Sequence, residues 1–161
     1  MKHTYNKENW SWYQLKEKDL SQFKEIVGEK SAFHIWSDEL EENKTNSLVI
    51  NTTVSGQEHM FGSLIYQQDI EERNNKEIFY FYLEQNKLVT AGFEFEAIES
   101  CLPDDVEQQM ESVDNALEGF FIILGEILNA YLYQLDKYEE HLHDLIWRMK
   151  QRNDIKMLEK I

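Results

Sequence analysis

Positive charge is scarce in this sequence: 16 Lys and Arg face 31 Asp and Glu, for a net charge of −15. That balance excludes a phosphate-backbone partner, because nucleic-acid binders need a positive footprint, and it disfavours docking on anionic lipid headgroups. The single cysteine, Cys101, rules out an intramolecular disulfide and a cysteine-rich zinc site, and fits a reducing, cytoplasmic setting. One proline and six glycines leave no Gly/Ser-rich linker that would divide the chain, and no internal repeat is evident. Long apolar runs are missing too. The longest, around Leu117 to Leu128, is interrupted by Glu126 and falls short of the roughly 20 residues a bilayer needs. The N-terminus lacks the apolar core of a signal peptide. The sequence therefore reads as a soluble chain with no membrane span of its own.

Catalytic signatures are also absent. There is no Gly-x-Ser-x-Gly elbow, P-loop, dinucleotide fingerprint or His-Glu-x-x-His, and Cys101 has no nucleophile's context. An enzyme is not expected.

The 161 residues, 42% of them hydrophobic, suffice for one folded core. The run from Trp10 to Leu15 reads as a strand. In "KDLSQFKEIVGEK", Leu20, Phe23, Ile26 and Val27 fall at helical spacing, with Gly28 as the stop. "SAFHIWSDELEEN" reads as a second short helix capped by Ser31. "NSLVINTTV" and "HMFGSLIYQQ" are β-type segments, and "EIFYFYLEQNKLVTAGF" holds two strands around an "EQNK" turn. A helix is expected from Phe95 to Leu102, with a break at Pro103. Helices flanking consecutive strands indicate an α/β or α+β sandwich.

The C-terminal segment carries the strongest periodicity. Leu117, Phe121, Leu124, Leu128, Tyr131, Leu135, Tyr138, Leu142, Leu145 and Met149 follow a 4-3-4-3 spacing, a heptad seam on one long helix. A helix from about Ser112 to Lys150 measures roughly 58 Å, while a domain this size is only about 30 to 35 Å across. Its far half must project, and the seam then needs a partner helix. The seam fails at "KQRND", and "NDIKMLEKI" begins a new pattern with Asp154 as its N-cap. This reads as the turn of a helical hairpin.

Two acidic clusters offer oxygen ligands to a hard cation such as magnesium, which needs only one or two carboxylates: Asp38, Glu39, Glu41 and Glu42, and then Asp69, Glu71 and Glu72. Glu140 and His143 match half of a helical di-metal motif. His141 and His143, two apart on a helix, cannot share one metal.

Three stretches together resemble the cytoplasmic domain of CorA-type magnesium transporters: "WSWYQLKEKDLSQFKEIVGEKSAFHIWSDELEEN", "EIFYFYLEQNKLVTAGFE" and "NALEGFFIILGEILNAYLYQLDKYEEHLHDLIWRM". The resemblance covers nearly the whole chain. It implies an α/β/α sandwich with a mixed, largely antiparallel sheet, followed by one long projecting C-terminal helix. It also implies a stalk and two transmembrane helices beyond residue 161, a pentameric assembly, and closure of the channel by magnesium bound between subunits. In the family a Glu-Asp pair serves this sensor. Ser37 stands at the Glu position and Asp38 at the Asp position, while a further family aspartate falls at Gly125, beside Glu126.

The resulting expectations are specific. Residues 1–111 form the α/β domain, 112–150 the projecting helix, and 151–161 a turn and the start of a returning helix. The chain is the cytoplasmic regulatory domain of a CorA-like divalent-metal transporter, not transport-competent alone. It sits at the cytoplasmic face of the membrane, which it meets only through segments outside these residues. Regulatory Mg²⁺ falls to Asp38, Glu39 and Glu126. Homo-oligomerisation falls to Leu128, Tyr131, Leu135, Tyr138 and Leu142, most simply as an antiparallel pair. The alternative is a soluble coiled-coil adaptor that works through the same helix.

Overall fold

The computed structural model describes residues 1–16, 20–28, 47–52, 58–67, 76–93 and 103–152. Six strands and three helices lie among them, in the order β1 (Lys2–Tyr5), β2 (Trp10–Leu15), α1 (Leu20–Val27), β3 (Ser47–Thr52), β4 (Glu58–Gln67), β5 (Lys76–Leu83), β6 (Lys87–Ala91), α2 (Pro103–Ser112) and α3 (Ala116–Arg152). The strands form one sheet ordered β1-β2-β6-β5-β4-β3. Every pairing is antiparallel except β2 with β6. The parallel step places α1 in the crossover that leaves β2, so the sheet is mixed, as the resemblance implies.

Alternation along the strands sorts side chains between two cores. On one face Trp10, Trp12, Phe79, Phe81, Leu83 and Leu88 pack beneath α2 and α3, which contribute Val106, Met110, Ala116, Phe120 and Ile123. On the other, Leu15, Phe61, Ile78, Tyr80, Tyr82 and Val89 pack against Phe23 and Val27 of α1. Both faces of the sheet are therefore covered, and the architecture is an α/β/α sandwich. Burying each such side chain contributes about 1.5–3 kcal/mol. The buried Trp12 indole donates from Nε1 to Thr90 Oγ1 at 2.9 Å, so a polar edge inside the core is satisfied.

Sequence periodicity located α1, and Gly28 ends it as expected: its φ of +82° supplies the left-handed C-terminal cap, with its amide bonded to Lys24 O at 3.0 Å. The hairpin across "EQNK" is β5–β6, closed by Glu84 N to Lys87 O at 2.8 Å. β1 was not legible. "KHTY" is only four residues long and forms a strand because β2 offers it an edge. The readings over Ser31–Asn43, Phe95–Leu102 and 153–161 lie outside the described residues.

Candidate functional site

The long C-terminal helix and the ground it stands on carry the functional reading. The expected start near Ser112 is corrected here. Ser112 closes α2, and a break at Val113–Asn115 separates α2 from α3, which begins at Ala116. The cause is a capping box: Glu118 N donates to Asn115 Oδ1 at 3.0 Å, and Asp114 N donates to Glu118 Oε2 at 3.1 Å. A local side-chain cap thus restarts the helix where periodicity alone ran straight on. At 37 residues, α3 is about 55 Å long.

The foot of α3 is fixed from three directions. Its first amide, Ala116 N, donates to Gln85 O in the β5–β6 turn at 3.0 Å. Gly119 lies flat on the Trp10 indole, where a Cβ would come within 2.3 Å of the ring, so only glycine permits this approach. Phe120 packs on Phe81 with centroids 4.6 Å apart.

The β1–β2 turn braces the elbow between α2 and α3. Asn6 N donates to Glu111 Oε2 at 2.9 Å, and Asn6 Nδ2 reaches Val113 O at 3.2 Å and Asp114 Oδ1 at 2.8 Å. Trp10 Nε1 also donates to Val113 O, at 3.1 Å. Asn6, Lys7 and Glu8 hold φ of +50°, +55° and +67°, a left-handed run that non-glycine residues rarely adopt.

Two tyrosines near these elements ionise well above the ordinary range. Burial is the main cause for Tyr5, helped by Glu107, whose Oε1 accepts its hydroxyl at 3.1 Å. Burial again leads for Tyr82, helped by Glu84 Oε1 at 2.5 Å. Both stay protonated, as donors, at neutral pH.

The helix leaves the domain beyond Tyr131. Ile122, Leu124, Ile127, Ala130 and Tyr131 are half-buried against the core, so Tyr131 belongs to the foot. Leu128 (60% exposed), Leu132 and Leu135 are open to solvent, as is Tyr138, while Leu142 is half-buried. The apolar flank also runs back along the foot, where Phe121 is 59% exposed. By length and composition α3 is apolar enough to cross a bilayer. This corrects the reading that no segment here could, because the apolar pattern continues past Glu126 through Leu132. In this fold its first turns are instead spent on the sheet.

Beside the foot lies a groove of about 700 Å³, lined by Ile50, Met60, Leu83 and Leu117 and rimmed by Glu58 and Glu84. It exists because α2 and α3 cover only the β1–β2–β6–β5 side of their face. Leu48 and Ile50 of the edge strand β3 are consequently 60% and 67% exposed. No sequence signal announced it, since strand order is needed to see which strip stays bare.

Of the metal candidates, Asp38 and Glu39 lie outside the described residues, as do Glu41, Glu42, Asp69, Glu71 and Glu72. Glu126 is half-buried on α3. Among the described residues no three His, Cys, Asp or Glu gather as a metal-holding group. His143 pairs instead with Glu139 at 3.4 Å, on an exposed face.

Compared with known proteins, the chain matches no family model and no solved structure. It is 33% identical over 157 residues, 95% of its length, to the magnesium transport protein CorA of Bacillus subtilis (strain 168). That alignment covers 48% of the relative, so the chain spans about half the length of the protein it matches.

Proposed function

We propose, from the premise that the chain belongs to the CorA-like family, that it is the cytoplasmic regulatory domain of a divalent-metal transporter, with magnesium as the ion. The alignment over 95% of the chain carries this reading, and the α/β/α domain ending in a projecting helix suits it. The domain acts at the cytoplasmic face of the membrane and assembles with further copies through the exposed flank of α3. Magnesium, a hard cation satisfied by few carboxylates, acts here as a weak regulatory ligand. Asp38 and Glu39, with Glu126 on α3, are the carboxylates we assign to it. The domain passes no ion alone and performs no chemical conversion.

The test is a graft. This chain replaces the matched half of the B. subtilis transport protein, and magnesium uptake is followed as internal magnesium rises. Uptake that shuts off with rising magnesium, and stays open when Asp38→Asn and Glu39→Gln are introduced, is the expected result. Uptake indifferent to internal magnesium overturns the regulatory role. The exposed flank of α3 also suits a soluble adaptor that pairs through this helix. A graft that folds and assembles but supports no uptake favours that reading.

A further inference from the structure

The groove at the foot of α3 and the basic tip of the same helix are complementary, and we propose that they meet in a second copy of this chain. This rests on the reading that α3 is an oligomerisation helix, and adds where its tip lands and what receives it.

The tip stands apart in an acidic protein. The last turn of α3 carries Lys150 and Arg152, while the groove is apolar at Ile50, Met60 and Leu117 and acidic at Glu58 and Glu84. Apolar floor and carboxylate rim match the chemistry of a helix end that bears Leu145, Met149 and Arg152.

Register supplies an independent argument. In an antiparallel pair with Leu135 on the two-fold axis, Leu128 falls opposite Leu142 and Phe121 opposite Met149. Glu118, in the first turn, falls opposite Arg152. The same pairing repeats on the other side of the axis, as an isologous interface demands, so one register pairs the apolar flank along its length and sets a base against an acid at both ends. It also brings the partner's tip alongside Leu117, which lines the groove. The nine residues after Arg152 cannot fill the groove from within the same chain. Fully extended they reach about 32 Å, whereas Leu117 lies about 52 Å back along the helix. The second copy covers the bare strip of sheet at Leu48 and Ile50 as well.

Sedimentation equilibrium of the 161-residue chain between 1 and 100 µM tests both layers. The expected result is a dimer that Leu135→Glu dissociates at least 100-fold. Glu58→Arg alone and Arg152→Glu alone each weaken it about 3- to 10-fold, the range for partly exposed charge pairs. The double swap, which restores the pair with its signs exchanged, recovers most of the loss. All three positions are exposed, so folding is not at risk, and circular dichroism checks it. A monomer throughout overturns the oligomerisation reading itself. A dimer broken by Leu135→Glu but indifferent to both charge reversals leaves that reading standing and overturns the groove as the tip's receiver. Losses that the double swap does not recover also overturn it.

Discussion

The two halves of α3 are one continuous helix in two different situations. At the foot, from Ala116 to Tyr131, the sheet-facing side chains Ala116, Phe120 and Ile123 are buried, Gly119 meets an indole, and Asn115 caps the start. On the shaft, from Leu132 to Arg152, no side chain is fully buried. The only ion pairs given there are exposed i,i+4 contacts, Glu139 with His143 and Asp144 with Arg148, each worth a few tenths of a kcal/mol. Tertiary packing holds the foot, and propensity with partner contact must hold the shaft, since most helical stability in proteins comes from packing an apolar face. The domain is therefore a rigid mount for a lever whose own order depends on what it touches.

The sharpest way to break this contrast is to truncate one apolar side chain in each half. Phe120→Ala removes a ring stacked on Phe81 and costs about 3–5 kcal/mol, read as a fall in the urea midpoint at unchanged slope. Leu128→Ala, at a side chain 60% exposed, shifts the same midpoint by less than about 0.5 kcal/mol in dilute monomer. Equal losses would mean that Leu128 is buried in the species measured.

Glycine gives a second contrast, opposite in sign. In a helix interior Gly→Ala gains about 0.8–1.0 kcal/mol. At Gly119 the new methyl would meet the Trp10 ring within 2.3 Å, so overpacking of about 1–3 kcal/mol outweighs the gain and Gly119→Ala destabilises. At Gly125 nothing lies within 4 Å of the added carbon, and Gly125→Ala stabilises by up to about 1 kcal/mol. Thermal melts of both variants decide it, and stabilisation at both positions would show that Trp10 yields easily.

How much of this was legible follows the same division. The seam and the strands of the central sheet announced themselves through spacing, because period 3.6 and period 2 are local properties. The break at Val113–Asn115 was missed because an Asn-and-Glu capping box interrupts a helix without disturbing its apolar spacing. Gly119 looked like a tolerated helix glycine, since its reason, Trp10, sits more than a hundred residues earlier. Strand β1 was missed because four residues have no strand pattern of their own. The groove depends on which strip of sheet two helices fail to cover, which no window of sequence contains. Asp38 and Glu39 were picked from composition and resemblance, with no geometry behind the choice.

The smallest effect at neutral pH separates the two cores instead of the two halves of the helix. Tyr5, bonded to Glu107 on α2, and Tyr82, bonded to Glu84 near the groove, both ionise above the ordinary tyrosine value of about 10. A folded-state value above the unfolded one favours the protonated, folded form. Their contribution is therefore complete below about pH 10 and is lost progressively as pH rises above it. At pH 7 neither group gives stability a slope. Between about pH 10 and 11.5 the unfolding midpoint should fall, and Tyr82→Phe should flatten that fall by removing one of the two titrating groups. Tyr5→Phe flattens it too, while also freeing Glu107 from its hold on β1. If the alkaline fall keeps its full steepness in Tyr82→Phe, the Tyr82–Glu84 contact is not what holds that proton, and the β5–β6 turn beside the groove is looser than its hydrogen bonds imply.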